Sequence, residues 1–381
     1  MSALYLQPRR AWLFDGYETG APWSNYDMTT TGADLTKVGF AAEVYDSPKQ
    51  GLEDWRLGAA RVSNAPKDSP IAFGVDAGLI AVNTMGMAES FELRPGQAKA
   101  ADVPVLSRPA IVWFVHSFSA SHVYNPGTIA GRFFQNGAYA YIGSVHEPTL
   151  QAFVPTPLLM RRMLAGYPLA AAVRMDGNAE RGWPEPWKIG VFGDPLICLG
   201  PAAPAASGDV PLMGLVSLTA QVADDVKAKR FEQAVLSLWL LGRDRDATRL
   251  AAAVAADKGP GWTAGLARNA VASLFFTGDT GTLARAYVLA MTGADPNSMP
   301  GAMDMVWSAL GPTLRTARPE EAEALRKAIR WDVNMRDAAE AFLATKSAEG
   351  DGAARAFAES FRKTLPNDEG RAAFEALLVK P

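Results

Sequence analysis

Apolar and polar positions alternate in two different ways along this chain, and the change falls near residue 200. In the first half, short apolar runs stand between polar and glycine-rich stretches. Ala110–His116 and Leu79–Thr84 are nearly continuous in apolar residues, the pattern of strands buried on both faces. Arg10–Asp15, Phe40–Tyr45, Ala138–Ser144 and Lys188–Phe192 predict four more strands. Between them, helices are predicted at Gly32–Val38, Asp54–Arg61, Thr128–Gln135 and Thr156–Arg174, the last broken near Gly166–Pro168. Tyr17–Thr31 and Pro66–Pro70 read as loops, and a polar segment around Pro95 and Gly96 as a connection. Strands alternating with helices predict a mainly parallel sheet covered on both faces.

Beyond Pro211 the period becomes helical. Phe231, Ala234, Val235 and Leu238 share one helix face, as do Leu266, Ala270, Val271 and Leu274. Glycine and proline breakers divide this half into about nine or ten helices of roughly 12 residues. Pairs of them recur at about 32–37 residues, near the spacing of helical hairpins, so the half reads as a helical repeat or an irregular bundle. The predicted organisation is an α/β domain over 1–200, a Pro/Ala/Gly linker over 201–211 and an all-α domain over 212–381.

Composition narrows the chemistry. With 381 residues, 49% hydrophobic and 20% charged, the chain has material for two cores. A net charge of -3 argues against nucleic acid or an anionic membrane as partner. No apolar run approaches the ~18 residues of a membrane span, and Arg9 and Arg10 follow rather than precede the first short apolar run. That pattern predicts a cytoplasmic protein. One cysteine, Cys198, excludes an internal disulfide and a multi-cysteine metal site. It sits in Leu196–Leu199, read as an apolar strand in which a packed, unreactive thiol is expected. No phosphate-binding glycine loop or dinucleotide fingerprint occurs, and no cofactor is expected.

The organising stretch is Pro109–Glu147, a buried strand, a small polar turn at Ser117–Ser121, a short helix and a second strand. All three histidines, His116, His122 and His146, lie in it. A zinc site from them with Glu147 is chemically allowed, but the spacing matches no standard motif, and none is predicted.

Residues 1–200 resemble the caspase-like fold and, within it, the gingipain-type cysteine peptidases. LIAVNTMGMAESFEL (Leu79–Leu93) is similar to the strand and loop that carry the catalytic histidine of a His-Gly pair; here Met85-Gly86 stands there. IVWFVHSFSAS (Ile111–Ser121) is similar to the strand ending in a Ser-Cys pair; here Ser117-Phe118 stands there. TIAGRFFQNGAYAYIGSV (Thr128–Val145) and VFGDPLICL (Val191–Leu199) resemble the following helix and strand and the closing Gly-Asp-Pro strand. The resemblance implies a caspase-like α/β three-layer sandwich, with its cleft at the carboxyl ends of the third and fourth predicted strands.

A cysteine peptidase needs a thiolate and an imidazole beside it. Met85 cannot transfer a proton and Phe118 cannot attack a carbonyl. The resemblance therefore implies a catalytically inactive, peptidase-like protein, with Met85 and Phe118 as vestigial positions. Met85, Gly86, Ser117 and Phe118 would line an apolar cleft, and the protein would act as a binding or structural module for a protein or peptide partner. The alternative is an active hydrolase using Ser117 or Ser119 with His122. The tryptophan- and proline-rich stretch Gly177–Trp187 reads first as aromatics packed on the domain and second as a peptide-binding loop.

Overall fold

The computed structural model describes residues 9–17, 20, 23–47, 49–61, 74–174, 188–199, 217–256, 261–295 and 298–379. Of these, 9–61 and 74–199 form one compact unit and 217–379 another. The predicted linker Pro201–Pro211, the Gly177–Trp187 stretch and the Pro66–Pro70 loop lie outside the described residues.

The first unit is built on a six-stranded sheet. Its strands are β1 (Arg10–Asp15), β2 (Ala41–Tyr45), β3 (Leu79–Asn83), β7 (Ala110–Val115), β8 (Ala138–Ser144) and β9 (Ile189–Gly193). Their order is β2-β1-β3-β7-β8-β9, parallel throughout except that β9 runs antiparallel to β8. Because side chains alternate across a strand, each buried run feeds two cores. Leu13, Ala81, Trp113 and Ile142 face one layer with Leu35 of α1 (Met28–Lys37) and Met160 of α4 (Thr156–Leu164). The short helix α5 (Leu169–Ala172) adds Leu169 to that layer. Trp12, Val82, Phe114 and Tyr141 face the other, with Trp55 of α2 (Leu52–Arg61) and Phe133 of α3 (Ile129–Gln135). The result is the expected α/β sandwich with helices on both faces.

Three local expectations change. Helix α1 starts at Met28, inside the stretch predicted as loop, because the Asp27 carboxylate accepts from the Thr29 and Thr30 N–H groups and caps a threonine-rich first turn. The polar connection around Pro95 contains a second sheet, β4 (Gly86–Met87), β5 (Ser90–Glu92) and β6 (Gln97–Lys99), antiparallel in that order. Strands of two and three residues are too short to show a period. Leu196–Leu199 is not a strand: it follows the Gly193-Asp194-Pro195 turn, where Asp194 Oδ1 accepts from the Leu196 N–H at 2.9 Å.

The second unit contains, among the described residues, ten α-helices and no strand. These are α6 (Leu218–Lys227), α7 (Phe231–Leu240), α8 (Asp244–Ala256), α9 (Ala264–Thr277) and α10 (Thr280–Ala290). The remainder are α11 (Pro300–Leu310), α12 (Pro319–Lys327), α13 (Asn334–Glu349), α14 (Asp351–Arg362) and α15 (Asp368–Val379). Neighbours in sequence pack together, and α7 with α9 and α10 with α12 also pack across one intervening helix. No described helix is long and apolar enough to cross a membrane.

Candidate functional site

β3 and β7 are adjacent and parallel, so their carboxyl ends deliver Thr84-Met85-Gly86 and His116-Ser117-Phe118 side by side. The Thr84 N–H donates to the Val115 carbonyl at 3.1 Å and ties the two exits together. Gly86 has a φ of 150°, and a Cβ there would stand 2.3 Å from the Ser90 carbonyl oxygen and 2.6 Å from His116 Nε2. Only glycine lets the hairpin that carries Met85 lie this closely over His116.

Phe118 is the other special position. Its φ is 59°, left-handed and unusual for a bulky residue. Such strain costs about 1–3 kcal/mol and persists where neighbours over-determine it. Here the Phe118 N–H donates to the His146 carbonyl at 3.2 Å, and the Phe118 carbonyl accepts from the Ser121 N–H at 3.1 Å and from Ser121 Oγ at 3.0 Å. The Ala120 N–H donates to the Ser144 carbonyl at 2.8 Å, and the Phe118 ring lies 5.4 Å from the His146 ring. The turn after β7 is thus clamped to the end of β8.

The other candidates separate. Ser117 Oγ donates to Glu147 Oε1 at 2.9 Å. Ser119 is buried, and its Oγ accepts from the Ser144 N–H at 3.3 Å. His122 is exposed, and its Nδ1 lies 3.0 Å from Ser121 Oγ, a serine the sequence did not single out. His116 is buried and donates from Nε2 to the Ser90 carbonyl at 3.0 Å. Among the described residues no three His, Cys, Asp or Glu side chains converge as a metal site would require. Cys198 is partly buried, and its Sγ–H donates to the Leu196 carbonyl at 3.5 Å. Met85 is 44% exposed and Phe118 half-buried, so the two side chains present carbon and sulfur at this edge.

Sequence reading passed over the end of β1. Asp15 is buried, and its Oδ1 accepts from the Tyr17 N–H at 2.9 Å and from Asn83 Nδ2 at 3.2 Å. The Arg94 guanidinium donates to the Asp15 carbonyl at 2.9 Å. Tyr17 stacks on Trp23 with ring centroids 3.5 Å apart. Burial, and then the carboxylates of Glu92, Asp15 and Glu147, push the Tyr17 hydroxyl pKa far up. An Asp closing a strand next to β3 was the available signal, since parallel sheets bring strand carboxyl ends together.

Two buried groups titrate in opposite senses. Burial raises the Asp15 carboxyl to about 7, against a lowering contribution from the Tyr17 N–H. Burial lowers the His116 imidazole to about 4, although the Ser90 and Ser117 backbones favour its charged form. Between about pH 4 and 7 the folded chain holds the Asp15 proton that the unfolded chain has released. Asp15 therefore lowers stability as pH rises through that window. His116 acts the other way. The unfolded chain takes up its proton from about pH 6.5 downward, so stability present above 6.5 is lost toward about 4. Asp15→Asn keeps an acceptor for Tyr17 and Asn83 and removes one slope. Its stability relative to the parent is expected to rise by about 3 kcal/mol between pH 4 and 7, read from urea midpoints. A difference that stays flat with pH would show that Asp15 ionises normally.

Comparison with protein families, characterised proteins and solved structures finds no family model, no characterised protein and no solved structure that matches this chain.

Proposed function

We propose that the first unit is a peptidase-like scaffold without peptidase chemistry, and that its carboxyl edge binds a protein or peptide partner through an apolar side chain. The observation that carries this reading is the pairing of β3 with β7. It brings Met85 and Phe118, at the positions where the resemblance calls for histidine and cysteine, to neighbouring strand ends. Neither side chain can transfer a proton or attack a carbonyl. Met85 offers adaptable and Phe118 fixed apolar surface, which together suit a hydrophobic side chain of the partner. The clamped left-handed turn at Phe118 supports a preorganised rather than a mobile surface.

The hydrolase alternative requires Ser117 or Ser119 to reach His122. The hydrogen bonds instead run from Ser117 to Glu147, from the Ser144 N–H to Ser119, and between His122 and Ser121. A displayed random-peptide library selected on the full chain tests the proposal. Enriched peptides are expected to share an apolar residue and to bind at least about tenfold more weakly to Met85→Glu. Covalent labelling by a fluorophosphonate that disappears in Ser117→Ala or Ser119→Ala would overturn the reading in favour of the hydrolase.

A further inference from the structure

Methionine is distributed unevenly in this fold. Met28, Met160 and Met163 are 0% exposed, Met303 is 2% and Met291 is 8%. Met85 at 44% and Met87 at 56% are the only described methionines in the exposed class. They flank Gly86 at the start of the small sheet, where the Cβ direction of Gly86 points inward at Ser90 and His116. Met85 and Met87, on either side of that contact, are both exposed.

The backbone beneath them is firmly held. The Glu92 N–H donates to the Met85 carbonyl at 2.8 Å, and the Ile129 N–H donates to the Ala88 carbonyl at 2.8 Å. Thr84 Oγ1 donates to the Glu92 carbonyl at 2.6 Å. Two exposed thioethers thus stand on a hydrogen-bonded support.

We propose that Met85 and Met87 are a paired, reversible oxidation site whose sulfoxides close this surface to its partner. The inference rests on the apolar-binding reading given above. The oxidant is hydrogen peroxide. A thioether lone pair attacks one peroxide oxygen, the S–O bond forms as the O–O bond breaks, and the second oxygen leaves with both hydrogens as water. Sulfur loses two electrons and the peroxide gains them. The product is a polar, chiral sulfoxide, which methionine sulfoxide reductases convert back to the thioether. A surface that accepts apolar groups becomes one that must be desolvated to do so.

The test treats the full chain with dilute hydrogen peroxide and follows each methionine by peptide mapping. Nile red, a neutral apolar dye, reports on the surface, and near-ultraviolet circular dichroism reports on the fold. Met85 and Met87 are expected to gain oxygen at least about tenfold faster than Met160 and Met163. Dye fluorescence is expected to fall with their oxidation, to return after reductase treatment, and to become peroxide-insensitive in M85L/M87L relative to its own untreated level. Oxidation at equal rates across these methionines overturns the inference, as does unchanged dye binding or a dye change that tracks lost circular dichroism. A different result would strike the underlying reading instead: untreated protein that binds the dye no better than Met85→Glu has no apolar binding surface at this edge.

Discussion

Asp337→Ala is expected to destabilise the helical unit by about 3–5 kcal/mol, because it leaves a buried guanidinium without its main counter-ion. Arg330 sits between α12 and α13 with its side chain 7% exposed, and Asp337 is fully buried. The pair is bidentate: Nε donates to Asp337 Oδ2 at 2.8 Å and Nη2 to Oδ1 at 2.9 Å. The Arg330 N–H donates to the same carboxylate at 3.0 Å, so the loop into α13 is held by it as well. Nη1 reaches Asp304 of α11 at 3.3 Å, and the guanidinium lies 5.3 Å from the Trp307 ring. One loop side chain therefore joins two helices, α11 and α13. Domain stabilities are about 5–15 kcal/mol, so this single change removes a large share. Urea unfolding followed by tryptophan fluorescence measures it. Asp337→Asn, which keeps an acceptor but not the charge, is expected to lose less. A loss below about 1 kcal/mol in Asp337→Ala would mean that water replaces the carboxylate without penalty.

Gly86→Val carries the second large effect, about 2–6 kcal/mol, from backbone strain and overpacking that each cost about 1–3 kcal/mol. The φ of 150° disfavours a β-branched residue. The added carbon would also meet the Ser90 carbonyl and His116 Nε2, and neither can withdraw: Ser90 pairs within the small sheet, and His116 is buried against Phe114. Gly39→Ala separates the two contributions. Gly39 has a φ of 88° with nothing within 4 Å of the position a Cβ would take, so only the backbone cost applies, about 1 kcal/mol. Equal losses in thermal unfolding for Gly86→Ala and Gly39→Ala would show that the hairpin shifts off His116 freely. It would also show that the edge is less rigid than its hydrogen bonds indicate.

What the sequence by itself determined is the architecture. Ala110–Val115 and Leu79–Asn83 are apolar without interruption, and burial on both sheet faces is the stable outcome for such runs in a chain whose intervening segments are helical. The shift to a helical period after Pro211 likewise settled the second unit, since Phe231, Ala234, Val235 and Leu238 can share a face only in a helix. Periodicity is a local property, and local sequence carries it. Elements shorter than one period escaped: two- and three-residue strands around Pro95, and a first turn of α1 that depends on Asp27 as a cap. The properties of the candidate site were decided only by tertiary structure. Asp15 meets Asn83 across 68 residues, Ser117 meets Glu147 across 30, and His116 meets Ser90 across 26. Which serine a histidine reaches, and how far a carboxyl is lifted by burial, follow from how strand ends are placed in the sheet. Such distances between remote segments leave no period in the chain.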